Sequence, residues 1–188
     1  MTKLLLASKS PRRRELLATL GIPFAVVDIN VDEHFDVLPP ADKVAESLAE
    51  RKSEGYGAHL QPDEILVTAD TVVVLDNQVL GKPHDRLQAV AMLEALSGHT
   101  HYVYTGVCLR SDAGRRSFTE CTKVCFRALS DEDIAYYVDN FKPYDKAGAY
   151  GIQEWIGMVG VERIEGCFYN VMGLPVGHLY KELKRLVD

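Results

Sequence analysis

Ile65-Leu66-Val67-Thr68-Ala69-Asp70-Thr71-Val72-Val73-Val74-Leu75 is almost wholly apolar or β-branched. A run of this kind reads as a strand buried inside a sheet. Asp76-Asn77-Gln78 follows as a turn, and residues 79–82 return from it. Working back towards the N-terminus, residues 41–56 form an amphipathic helix after the Pro39-Pro40 break, and residues 24–27 a short strand. Residues 11–20 read as a helix closed by Gly21, and residues 3–7 as a buried strand. Working forward, a helix spans 86–96, and strands near 102–110 and 117–126 meet at Asp112-Ala113-Gly114. Ser130 caps a helix to about residue 138, with Asp133 as the acidic partner of a capping box, and a last helix spans 175–186. Helical and strand patterns alternate throughout, which predicts an α/β fold. The glycine-rich stretch 146–177 is the least regular part, and loops of that kind carry function more often than core.

The chain has 188 residues, the size of a single domain, and 47% of them are hydrophobic, enough for a substantial core. Its net charge of −6 argues against nucleic-acid polymers and anionic membranes as partners, since both need a basic surface. An anionic ligand must therefore meet a local cluster of cations. No apolar run approaches the length of a membrane span, and residues 1–7 are too short a stretch for a signal peptide, so a cytoplasmic location is expected. Cys121 and Cys125 lack the spacing of a zinc knuckle; with Cys108 and Cys167 they are expected to be reduced, buried thiols.

Ser8-Lys9-Ser10-Pro11-Arg12-Arg13-Arg14 opens the first helix. Ser10 suits the cap and Pro11 the first helical position. Three arginines in the first turn face the positive end of the helix dipole, at a cost of roughly 0.3–1 kcal/mol each. An anion there removes the conflict: backbone N–H groups, a serine hydroxyl and guanidinium forks together make a phosphate site. Leu16 and Leu17 set the buried face. Arg12 and Arg13 lie one turn before them and belong to the phosphate site, whereas Arg14 points to solvent.

Asp70 is a carboxylate in the middle of the buried strand, an expensive choice unless it is paired, caps backbone or binds metal. Lys52 follows Leu48 by four residues and lies inside the apolar arc of its helix, where it can snorkel outward or point its ammonium into a cleft. Glu33 offers the second hard oxygen that a magnesium site needs. Lys82, in Gly81-Lys82-Pro83, depends on the hairpin. A three-residue loop pairs Leu75 with Val79 and sets Lys82 on the face of Asp70; a two-residue loop sets it on the other face. In Asp145-Lys146-Ala147-Gly148-Ala149-Tyr150-Gly151-Ile152-Gln153, small residues allow close backbone approach, and the Gln153 amide suits the edge of a base.

Taken together these segments, with Ala69-Asp70-Thr71, Ser97-Gly98 and Gly173-Leu174-Pro175, resemble the Maf family of nucleotide pyrophosphatases over nearly the whole chain. The resemblance implies a single Maf-like domain, residues 1–188, with a curved mixed sheet flanked by helices in two lobes with a central cleft, similar to inosine-triphosphatase-like folds. It implies a divalent cation, magnesium or manganese, and often a homodimer. One branch of the family hydrolyses dTTP and UTP and another prefers 7-methyl-GTP. In the first branch the positions matching Arg12, Thr71 and Gln153 are associated with substrate choice, and Asp70 matches the proposed general base. By this resemblance Glu33 and Asp70 hold the metal, Lys52 and Lys82 act in catalysis with Asp70, and Ser8, Arg12, Arg13, Thr71 and Gln153 bind the nucleoside triphosphate. Glu154-Trp155 replaces the small residues common after the glutamine in that branch. The competing readings are a broad house-cleaning pyrophosphatase for modified nucleotides and a nucleotide-binding regulator of cell division with little turnover. The family is also named for inhibition of septum formation, which is a cellular phenotype and not a chemistry.

Overall fold

The computed structural model describes residues 3–187. The buried run becomes β3, Glu64–Leu75, with β1, Lys3–Leu6, parallel beside it: Leu4 pairs with Ile65 and Leu6 with Val67. On its other edge β1 pairs, again in parallel, with β2, Phe24–Val26. Parallel neighbours need a crossover. Between β1 and β2 this includes α1, Pro11–Ala18, capped by Ser10, whose hydroxyl accepts the Arg13 N–H. The chain then turns at Gly21, whose φ of 67° is the left-handed conformation that glycine adopts without strain. Before β3 comes α2, Val44–Glu54, three residues later at its start than its pattern suggested because residues 41–43 form a turn.

β3 folds back into β4, Gln78–Leu80. Leu75 pairs with Gln78 and Val74 with Val79, so the loop has two residues, and the three-residue register is overturned. Asp76 and Asn77 both take positive φ, 48° and 64°, which is the twist that a two-residue hairpin requires. β4 ends at Leu80, leaving Lys82 exposed beyond the ladder. There follow α3, Arg86–Leu96; β5, Thr100–Ser111; β6, Gly114–Phe126; and α4, Asp131–Phe141, with its capping box of Ser130 and Asp133. The stretch read as irregular holds a 3-10 turn, Ala147–Ala149, then α5, Trp155–Gly160; β7, Val161–Glu165; and α6, Phe168–Met172. Helix α7, Val176–Val187, closes the chain. The sheet is mixed, in the order β2-β1-β3-β5-β6-β7 with β4 paired to β3. No helix among the described residues is long and apolar enough to cross a membrane.

Two compact units are distinguishable. The first comprises the described residues up to Thr71, with Thr105–Glu120 and those from Gly173 onward. Its helix α2 buries Ala45, Leu48 and Ala49. Its backbone comes so close to β5 that a Cβ on Gly106 would lie 2.4 Å from the Ala45 carbonyl oxygen, so only glycine fits there. The opposite flank carries Glu46, Glu50 and Glu54 at helical spacing, and they take Thr119, Ser117 and Arg115 in turn from successive same-face positions of β6. Thr68, fully buried in β3, donates to the Ala49 carbonyl at 2.6 Å. Helix α2 is thus pinned to β3 two residues before Asp70.

The second unit, Val72–Tyr104 with Cys121–Met172, has an apolar core that includes Val73, Leu93, Leu96, Val103, Tyr137 and Ile156. In it His101, Phe126 and Tyr150 meet edge to face with centroids 5.0–5.4 Å apart. None of the four cysteines is in a disulfide, but only Cys108 is buried. Cys121 stands exposed because it takes an outward position in β6, alternating with buried Thr122.

Candidate active site

The first unit gathers most of the residues singled out in the sequence. Lys52, on the last turn of α2, does not snorkel to solvent. Its ammonium lies against Asp70 Oδ2 and 3.0 Å from Glu33 Oε1. Asp70 Oδ1 accepts the Thr71 N–H at 2.7 Å. The carboxylate in the buried strand is therefore both a backbone cap and half of an ion pair, which accounts for its tolerance there. Lys52 and Asp70 side chains are 15% and 16% exposed, so a ligand can still reach both.

Glu33 comes from the loop ahead of α2, where no regular element holds it. Arg51 does so instead: its guanidinium donates to the His34 carbonyl and stacks 4.0 Å over the Phe35 ring. Val31 packs on Gly55, where an added Cβ would meet the Val31 Cβ at 3.1 Å. Successive residues of α2 thus serve one loop, Arg51 fixing its backbone and Lys52 meeting its carboxylate.

A second set of contacts runs through Arg13. Its Nε donates to the Gly173 carbonyl at 2.7 Å and its Nη2 to Thr71 Oγ1 at 2.9 Å. Thr71 Oγ1 shares a hydrogen bond of 2.9 Å with Thr105 Oγ1, either oxygen able to donate. Gly173 has φ 116°, and a Cβ there would sit 3.6 Å from Thr71 Oγ1. Burial pulls the Arg13 guanidinium below its ordinary value; Asp70 and Glu33 oppose the shift and Arg12 adds to it. Arginine stays charged through such shifts, so Arg13 is a fixed cation near two carboxylates. Ser8 Oγ accepts the Ser10 N–H at 3.2 Å, and its hydroxyl still carries a hydrogen to donate. Arg12 is half-buried and Arg14 exposed, as their places on the helix predict.

Glu33, Lys52, Asp70, Thr71 and Arg13 are therefore joined through direct contacts, with Ser8 and Arg12 in the adjoining turn. Thr105 and Arg51 had gone unremarked. A threonine between Val103 and Val107 on a buried strand is the same kind of signal as Asp70, a polar residue at a core position. Arg51 carried none, since its partners are a backbone carbonyl and a ring on an irregular loop. Among the described residues no three His, Cys, Asp or Glu side chains cluster as a ready metal cage. Two carboxylates converging on one cation nevertheless form the kind of hard-oxygen pair that a phosphate-bound magnesium uses.

Lys82 and Gln153 belong to the second unit, and both are exposed. There the Gly148 N–H donates to the Gly81 carbonyl at 3.0 Å, which ties the loop leading to Gln153 to the turn bearing Lys82.

Residues 3–186 match the sequence profile of the family described as Maf-like protein. A dTTP/UTP pyrophosphatase of Bacteroides thetaiotaomicron is 50% identical over 185 residues, 98% of this chain and 96% of that protein. A protein of the same name from Parabacteroides distasonis is 51% identical over 183 residues, covering 97% and 95%. Among solved structures, a nucleoside-triphosphatase / dITP/XTP pyrophosphatase of Mycobacterium abscessus aligns at 15% identity with a TM-score of 0.41. That alignment spans 66% of this chain and 73% of the other.

Proposed function

We propose, from the premise that the chain belongs to the Maf-like protein family, that it hydrolyses nucleoside triphosphates, dTTP and UTP ahead of others, to the monophosphate and pyrophosphate. The observation that carries this reading is the meeting of Glu33, Lys52 and Asp70 beside Arg13. It sets a proton acceptor and a hard-oxygen pair next to cations suited to a polyphosphate.

Glu33 and Asp70 would hold the divalent cation, magnesium or manganese, that the family implies. When bound, that ion supplies positive charge to the phosphoryl oxygens as charge moves towards the leaving group. Asp70 accepts a proton from the attacking water. The water oxygen bonds to the α-phosphorus, the bond to the bridging oxygen breaks, and the electron pair leaves with pyrophosphate. Lys52, Arg13 and Arg12 offset the growing charge on the phosphates, with Lys82 as a further cation and the Ser8 hydroxyl as a donor. In this step the Lys52 ammonium exchanges its carboxylate partners for phosphate oxygens.

Gln153 reads the base. Its planar amide offers one acceptor and a donor pair, matching the N3–H and O4 of uracil or thymine, whereas cytosine reverses the edge at position 4. Thr71, with Thr105 as donor, keeps a hydrogen for the ligand while holding Arg13. Relatives named dTTP/UTP pyrophosphatase support this choice of base. A nucleotide-binding regulator with little turnover would have no use for a lysine held between two carboxylates.

A panel of dTTP, UTP, CTP, ATP, GTP and modified nucleotides with magnesium, scored by pyrophosphate release, tests the reading. Higher kcat/KM on dTTP and UTP is expected. Equal rates on all would support the broad house-cleaning alternative.

A further inference from the structure

Gln153 projects from a turn whose backbone is closed by the Glu154 N–H donating to the Gly151 carbonyl at 3.0 Å. Both ends of this turn are fastened to one buried phenol. The Gly151 N–H donates to the Tyr137 hydroxyl oxygen at 3.0 Å, and the same hydroxyl donates to Glu154 Oε2. Glu154 Oε1 lies 3.1 Å from the Lys146 ammonium. Tyr137 is wholly buried and Lys146 only 8% exposed. A Cβ on Gly151 would come 2.9 Å from Glu154 Cδ and 3.1 Å from Lys146 Cε, so the carboxylate and the lysine stem fill the space against that glycine. Burial and the Glu154 carboxylate both raise the Tyr137 hydroxyl above its ordinary value, so it remains a donor at any working pH.

We propose that Glu154 is a positioning residue for base selection: through Tyr137 and Lys146 its carboxylate fixes the turn from which Gln153 reads the nucleotide. This rests on the reading of Gln153 given above. An amide distinguishes uracil from cytosine only while its carbonyl and NH2 ends keep their places, because a half-turn about its last bond exchanges donor and acceptor. A turn clamped at both ends, Gly151 and Glu154, limits the poses open to that side chain. The contacts of Asp70, Lys52 and Arg13 are made with Glu33, Thr71, Gly173 and one another, so release of the clamp leaves those contacts in place. The effect therefore falls on discrimination and on KM more than on kcat.

The test is steady-state kinetics on dTTP and CTP with Gln153→Ala, Glu154→Ala, Glu154→Gln and Tyr137→Phe, each checked for folding by circular dichroism. Glu154→Ala and Tyr137→Phe should lower the dTTP-to-CTP ratio of kcat/KM by about tenfold, the scale of one hydrogen bond in register, mainly through KM for dTTP. Glu154→Gln, which keeps an acceptor for Tyr137, should recover part of the loss. Tyr137→Phe keeps the ring in the core, so the question stays open to test if Glu154→Ala does not fold. If Gln153→Ala loses discrimination while the folded Glu154 and Tyr137 variants keep it, Glu154 has no positioning role and the base reading stands. If Gln153→Ala itself keeps discrimination, the base reading fails and this proposal with it. A fall in kcat common to both nucleotides, with an unchanged ratio, would make Glu154 merely structural and overturn the proposal.

Discussion

The Lys52 ammonium bridges Asp70 Oδ2 and Glu33 Oε1, 3.0 Å from the latter, so one cation joins two carboxylates from separate segments of the chain. Glu33 and Asp70 are held together at the cost of like-charge repulsion, and the lysine offsets it. A cation brought by a ligand could do the same.

Asp70→Asn should fold. The amide oxygen can still accept the Thr71 N–H, and the charge lost was costly to bury. Turnover of dTTP with magnesium should fall at least about 100-fold, the usual worth of a general base. Affinity for dTTP in chelator should hold or improve, since a negative charge near the phosphates is gone. Turnover and chelator-state affinity measured on the same variant check this; near-normal turnover would remove Asp70 from the chemistry.

Lys52→Met leaves Glu33 and Asp70 facing one another without their cation. The variant should lose roughly 1–3 kcal/mol of stability in chelator, the cost of an abandoned charged hydrogen-bond partner. Magnesium should then raise its Tm more than it raises that of the parent, because ligand that binds only the folded state stabilises it by mass action. Thermal melts with and without magnesium measure this. An identical magnesium response in both proteins would argue against Glu33 and Asp70 as the metal pair.

Thr105→Val removes the hydroxyl that meets Thr71 Oγ1 and keeps the shape of the side chain. Arg13 then rests on a less constrained Thr71. kcat/KM should drop by about tenfold, the worth of one hydrogen bond with a charged group at its far end. The drop should be equal on dTTP and CTP, because Arg13 serves phosphates that all nucleotides share. A base-dependent drop would assign Thr105 to base recognition instead.

Burial pushes the His101 imidazole down to about 4, while the unfolded ring titrates near 6.5. The unfolded state therefore takes up the proton first as pH falls. Stability from this residue is complete above the unfolded value and is lost as pH drops through the window from about 6.5 to about 4, by up to about 3 kcal/mol. His101→Phe should flatten that limb. Urea melts of parent and variant at pH 7 and pH 4 isolate the difference, which should vanish if the ring is already protonated in the folded protein.

The strand, helix and capping patterns were legible because each is written in local periodicity: the run ending at Leu75, the capping box of Ser130 and Asp133, the glycine at position 21. The hairpin register was not, because Asp76-Asn77-Gln78 allows two loop lengths, and only the positive φ of both Asp76 and Asn77 decides between them. Helices α5 and α6 with β7 were hidden in a glycine-rich stretch, since short elements held by tertiary packing leave little periodic trace. In the site, Asp70 and Thr105 announce themselves as polar residues on buried strands. The direction taken by Lys52 did not follow from its helix, whose arc allowed both solvent and interior. It is set by carboxylates that lie 19 residues before it and 18 after it, at Glu33 and Asp70, an arrangement that only the folded chain creates.

The central claim is that water attacks the α-phosphorus of the nucleoside triphosphate and pyrophosphate leaves. Hydrolysis of dTTP in water enriched in oxygen-18, with the products separated and weighed by mass spectrometry, tests it most directly. The account predicts dTMP and pyrophosphate as the products, with the heavy oxygen in dTMP alone. Label in the pyrophosphate, or release of dTDP and orthophosphate, would contradict it.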